Sequence, residues 1–253
     1  MDEQFISINN LYLKQDLPIE ECSAEILQQC KEIARAYAIN ENAIVTLGDN
    51  IPPGRCYGFF GGLADVLGLR KEERVEVIPS LYEYYVFNRA NRDDLMMRHA
   101  HELAYVNVTK HLSVEQRRNY YLEDSMRVRD KDGVRRLIRH RLYAMAGTSG
   151  GGYWLNMCVY TICPDDCIIP KIVNTLTGEC RILTNEDYKG ILSKREIELL
   201  HLINKGLLSK EIAAHLCISI NTVHRHRQNI LSKLKVDNAI EACRMARNMG
   251  LLT

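Results

Sequence analysis

Residues 209–228 read SKEIAAHLCISINTVHRHRQ, and this stretch limits the folds open to the chain. Ile212 and Leu216 mark one short helix. Cys217-Ile218-Ser219 makes a tight turn, and Ser219 is placed to N-cap a second helix. That helix runs over about 220–234, with Val223, Ile230, Leu231 and Leu234 on a single face. Two helices this small cannot bury their apolar faces alone, so they require neighbours. Upstream, Ser193 and Glu196 have the form of a capping box, Ile197, Leu199, Leu200, Leu202 and Ile203 follow with helical spacing, and Gly206 ends the helix. Downstream, residues 238–249 carry Ile240, Ala242, Cys243, Met245, Ala246 and Met249. Two short helices around a tight turn, the second longer and basic, predict a helix-turn-helix within this four-helix stretch, with its motif at Ser209 to Gln228.

Charge separates this tail from the rest. The 253 residues carry a net charge of only +1. From Ser193 onward, however, there are ten Lys or Arg against five Asp or Glu, which leaves 23 basic against 27 acidic residues before it. An acidic body joined to a basic tail points to a polyanion as partner of the tail.

The face of the 220–234 helix opposite its apolar stripe presents Asn221, His224, Arg225, Gln228 and Ser232. Hydrogen-bonding side chains in one stripe suit the base edges of a major groove. Lys210, Thr222, Arg227 and Lys233 are placed for phosphates, and His226 lies at the boundary, where partial burial is expected. His224 and His226 do not make a metal pair: two positions apart on a helix, they point about 200° from each other.

The segments LSKREIELLHLINKG, SKEIAAHL, IS-x-NTV, NIL-x-KL and AR-x-x-GLL run without a gap over about 60 residues. Together they closely resemble the DNA-binding domain of LuxR-type transcription regulators. The resemblance implies double-stranded DNA as a partner. It also implies a homodimer in which the last helix pairs with its twin, with Ile240, Cys243 and Met245 as contacts. Most of that family has lysine where His224 stands, and imidazole carries less charge at neutral pH.

The preceding residues read differently. Residues 17–39 have helical spacing, NAIVTLGDN and RCYGFFG are β-prone, and 79–122 are helical with breaks near Asn91 and Leu112-Ser113. Ser113 to Gln116 forms a capping box for a helix expected to reach Leu122. Three antiparallel strands follow, turning at Asp130-Lys-Asp-Gly133 and at GTSGGG, with a small hairpin at 171–183. One sheet with helices on one face is expected. CYGFFGGLADVLGL, NRDDL, LSVEQRRNYYLEDSMRVRDKDGVRRLIRHRL and VYTICPD resemble a PAS domain over roughly residues 40–166. The expected fold is therefore an α+β PAS-like sensor domain followed by an all-α four-helix LuxR-type domain. The divisions fall at 1–39 (helical segment), 40–184 (sensor), 185–191 (linker) and 192–253 (DNA-binding domain).

PAS domains often hold a small ligand between sheet and helices. His140, Trp154, Asn156 and Cys158 are candidate lining residues, with the inward set of alternating side chains left open. An empty core serving only dimerisation is equally compatible, and a lone His140 on an apolar face reads more readily as a core histidine than as a haem ligand. No cofactor is identified. Among nine cysteines the close pair, Cys163 and Cys167, has the spacing of one zinc arm without a second, so buried reduced thiols are expected. No nucleophile–base set is legible, so no enzyme is expected. The absence of a long apolar run and of a signal segment points to a cytoplasmic protein without membrane contact. An acyl-homoserine-lactone receptor is an alternative, although only one tryptophan is present. A phosphorylated receiver domain fits poorly, because the strands bunch late.

Overall fold

The computed structural model describes residues 17–252 apart from positions 82 and 235. The expected N-terminal helical segment at 1–39 lies outside the described residues up to position 16. The described chain separates into two compact units, 17–183 and 184–252.

In the first unit, Ser23 caps helix α1 (Ala24–Asn40) by accepting from the Glu25 amide at 3.2 Å. Strands β1 (Ile44–Asp49) and β2 (Arg55–Phe60) form a hairpin across Pro52-Pro53-Gly54. Short helix α2 (Leu63–Val66), strand β3 (Val77–Ile78), helix α3 (Tyr84–Phe87) and the long helix α4 (Arg92–Thr109) follow. Asn91 caps α4, accepting from the amides of Asp93 and Asp94. Helix α5 (Val114–Arg117) leads into β4 (Tyr120–Arg129), β5 (Arg135–Gly147) and β6 (Tyr153–Ile162), with β7 (Lys171–Asn174) and β8 (Cys180–Ile182) as a final hairpin. All eight strands form one antiparallel sheet, ordered β3-β2-β1-β6-β5-β4-β7-β8. An antiparallel sheet with intervening helices is the expected layout.

Two local expectations are corrected. The Ser113 capping box forms, but its helix stops at Arg117, and Leu122 lies in β4 opposite Leu142. Cross-strand pairing on both sides of β4 outweighs the local helical spacing there. Helices also pack on both faces of the sheet. On one face, Cys30, Ala34 and Ala38 of α1 meet Val45, Leu47, Tyr57, Phe59, Met157 and Val159. These small helix residues let the backbone approach the strands closely. The alternate residues of the same strands, Thr46, Gly48, Asn156 and Cys158, point to the opposite face, which α4 covers.

In the second unit, the expected linker contains a 3-10 turn at Asn185–Tyr188 with Asp187 and Tyr188 buried. Helices α6 (Lys194–Asn204), α7 (Ser209–His215), α8 (Ile220–Leu234) and α9 (Ala239–Asn248) follow. Leu199, Leu200, Ile212, Val223, Ile230, Leu234, Met245 and Met249 form a core from all four.

Gly61, after β2, has no room for a side chain. A Cβ there would lie 2.0 Å from the Ala38 carbonyl oxygen and 2.9 Å from the Ala43 backbone. Backbone cannot yield as a flexible side chain does. Gly61→Ala is expected to cost about 1–3 kcal/mol of stability, read as a lowered denaturant midpoint with an unchanged m-value.

Candidate nucleic-acid interface and buried polar cluster

The second unit builds its exposed stripe from the turn outward. The Ala213 carbonyl accepts from the Ile218 amide, and Cys217 takes a left-handed backbone with φ of 54°. The Ser219 hydroxyl accepts from the Thr222 amide at 3.1 Å, so it caps α8 as expected. Val223, Ile230 and Leu234 are buried, while Asn221, His224, Arg225 and Gln228 are exposed on the other side. His226 and Arg227 are half-buried at the edge, and Lys210 is exposed at the start of α7. Thr222 is half-buried, with its hydroxyl 2.9 Å from that of Ser219.

One side chain gains a partner and one expectation changes here. Lys233 donates to Glu196 at 2.7 Å, tying α8 to the capping box of α6. Ser193 and Glu196 form that box reciprocally, and hydrogen bonds from Lys233 and Ser193 hold the Glu196 carboxyl below its usual range despite burial. Lys233 nevertheless stays exposed at the surface of its unit. Of the three expected dimer contacts, Cys243 and Met245 are buried in the core of their own unit, 5% and 0% exposed. The turn of the chain after α8 brings that face of α9 onto α6 and α8, where these two side chains complete the core. Ile240 alone among them is presented, 82% exposed.

The first unit places a polar cluster between the sheet and α4. Arg98 is 3% exposed. Its Nη2 donates to Glu83 at 3.0 Å and to the Tyr160 hydroxyl at 2.9 Å, and it is ion-paired with Glu102 at 2.9 Å. Tyr160 and Thr46 both donate to Glu83. Burial disfavours the guanidinium charge, but Glu102, Tyr160 and Glu83 overcome that and keep it firmly protonated. Beside this group, Asp124 accepts from two imidazoles: His101 Nδ1 lies 2.7 Å from Oδ2 and His140 Nδ1 lies 2.9 Å from Oδ1. Burial would raise the Asp124 carboxyl, yet His140 and the two imidazole hydrogen bonds hold it down at about 2. A cavity of about 50 Å³ adjoins Arg98, Glu102, Glu83, Asn156 and Cys158.

Of the expected lining residues, Asn156 and Cys158 reach this cavity, and His140 stands behind it, stacked on Tyr160 at 5.1 Å. Trp154 does not. The β5–β6 register slips around Ala146, so Tyr153 turns toward α4 and Trp154 joins the α1 face, donating to Asp49 at 3.1 Å. Period-two counting cannot see such a bulge. Sequence reading also missed Glu83, Arg98, Glu102 and Asp124. Arg98 and Glu102 alone among them had a visible signal, the run of charged and imidazole residues RHAHE at 98–102 on an otherwise core-facing helix. Cys163 is buried, Cys167 is exposed, and both are free thiols.

The second unit is thus a four-helix helix-turn-helix domain that buries its apolar stripe and exposes a polar one. Residues 190–246 match the family described as bacterial regulatory proteins, luxR family, and this C-terminal domain belongs to it. The oxygen regulatory protein NreC of Staphylococcus carnosus (strain TM300) is 39% identical over 95 residues, covering 35% of this chain and 43% of that protein. NreC of Staphylococcus aureus (strain JH9) is 44% identical over 88 residues, covering 32% and 41%. The chain therefore spans less than half the length of these curated relatives. Among solved structures, the phage VqmA–DPO complex aligns over 92% of both chains at 14% identity and a TM-score of 0.32. Escherichia coli SdiA aligns over 95% of this chain and 94% of its own, at 14% identity and 0.23.

Removing the Arg98 charge strands two buried carboxylates. Arg98→Met is expected to destabilise the first unit by about 3–5 kcal/mol in chemical denaturation. Asp124 acts on the acid limb. Its folded value of about 2 lies below its ordinary 3.8, so its stabilisation is complete above 3.8 and vanishes as pH falls through 2. Asp124→Asn should lower Tm at neutral pH, and the gap to wild type should close on acidification across that window; a gap constant with pH would contradict the assignment.

Proposed function

We propose that the chain is a one-component transcription regulator that binds double-stranded DNA as a homodimer through Ser209 to Gln228 and responds to a species held in its first unit. The observation that carries this reading is the exposed stripe Asn221, His224, Arg225 and Gln228 on a luxR-family segment whose opposite stripe buries Val223, Ile230 and Leu234. A major groove accepts such a helix, and hydrogen-bonding side chains along it read base edges. Arg225 and Gln228 read bases. Lys210, Thr222 and Arg227 meet phosphates, and Ile240 is the contact left for a dimer. His224 adds a hydrogen-bonding group with little charge at neutral pH.

The PAS-like module at about 40–184 is the sensor, and its cavity favours a small polar ligand or ion. About 50 Å³ lined by Glu83, Arg98 and Glu102 suits neither a long acyl chain nor a haem. The match to regulatory proteins supports a non-enzymatic role. Among the described residues no helix is long and apolar enough to cross a membrane, which agrees with a cytoplasmic regulator.

Selection of bound DNA from a random pool should enrich a palindromic site, and failure to enrich any sequence would sink the reading. On that site, Arg225→Ala and Gln228→Ala should each cost about 1–3 kcal/mol and relax one position. Lys210→Ala should weaken all sequences alike and reduce the salt slope by about 1.

A further inference from the structure

The buried cluster of the first unit is short of positive charge. Glu83, Glu102 and Asp124 are 5%, 4% and 1% exposed, and the one guanidinium among them is Arg98. Three carboxylates against one fixed cation leave a deficit of two charges in a low-dielectric site, where uncompensated charge is costly. Protonated imidazoles among His99, which lies 3.5 Å from Glu102, His101 and His140 would reduce it, and a divalent cation would supply two charges, one of them balancing the thiolate it forms at Cys158.

The geometry favours the cation. One ligand atom each from Glu102, His140 and Cys158 lie within 4.8 Å of one another, and all three residues are buried. His140 is 0% exposed, and its Nε2 has no hydrogen-bond partner. Its other nitrogen, Nδ1, lies 2.9 Å from Asp124. With Nδ1 donating to the carboxylate, Nε2 is left as a bare lone pair within reach of the Cys158 sulfur and the Glu102 carboxylate. A carboxylate holding the far nitrogen of a metal-binding histidine is the usual outer-shell arrangement. Arg98 Nη2 lies 3.4 Å from the Cys158 sulfur, placed to donate to a thiolate. Tetrahedral bonds of roughly 2.0–2.3 Å separate ligand atoms by about 3.3–3.8 Å, so the three side chains need to close by about 1 Å.

We propose that Glu102, His140 and Cys158 form a binding site for a borderline divalent transition metal of the zinc class. One carboxylate oxygen, one imidazole nitrogen and one sulfur are a donor set such ions accept, with a fourth position open toward the cavity. Binding displaces the Cys158 thiol proton to solvent. Glu83 stays with Arg98, while Glu102 turns to the metal. The site names the species for the sensor cavity proposed above and rests on that reading only for its regulatory meaning.

The test uses the full chain. The metal-stripped protein is titrated with Co(II) and followed by absorption, with zinc as competitor and Tm as a second readout. A single equivalent of Co(II) should produce a thiolate-to-metal charge-transfer band that zinc abolishes, and zinc should raise Tm. Cys158→Ser, close to isosteric, should lose the band, while Cys163→Ser should keep it. Asp124→Asn should weaken zinc binding by about 10–100-fold. Absence of the band in the wild-type chain overturns the proposal, as does its persistence in Cys158→Ser. DNA binding measured on the same samples separates the two readings: binding without any metal site defeats only the metal, and a metal site without DNA binding defeats only the regulator.

Discussion

The guanidinium of Arg98 holds the centre of the first unit. It reaches Glu83 ahead of α3, Glu102 one turn along α4 and Tyr160 on β6. An ion pair so deeply buried contributes little net stability compared with apolar packing, because desolvation offsets the attraction. What it supplies is position: α4 can meet the sheet in only one register if the three partners are all to be satisfied. The cavity, the Asp124–histidine group and the Cys158 sulfur are arranged around that constraint.

The second unit uses one ion pair in a different way. Lys233 and Glu196 join α8 to the capping box of α6, which also anchors the start of the domain. The stripe on α8 is thereby oriented against a rigid frame, with side chains free on one side only. The groove reading proposed for α8 depends on that rigidity, since small misplacements lose hydrogen bonds to bases.

The helices of the second unit were legible because their signals are local. Ser193, Gly206, Ser219 and the apolar spacing of α8 each act within a turn or two, and burial of Val223, Ile230 and Leu234 follows from the same spacing. The first unit was legible as a sheet with helices, but not in its side-chain directions. A bulge near Ala146 turned Trp154 to the wrong face for the cavity, and pairing with β5 and β7 drew Leu122 out of its expected helix. Cys243 and Met245, expected from the family resemblance to face a twin helix, lie in the core of their own unit.

By itself, the sequence determined the helix-turn-helix, the polar stripe on α8 and the division of charge between body and tail. These rest on periodicity, capping and composition, which neighbours along the chain settle. Only the tertiary structure decided which residues share the interior of the first unit. Glu83 meets Tyr160 across 77 positions of chain and Arg98 meets Cys158 across 60, with Asp124 and His140 between them in sequence, and no local spacing relates them. They meet because a buried charge must find its partners wherever the sheet register brings them.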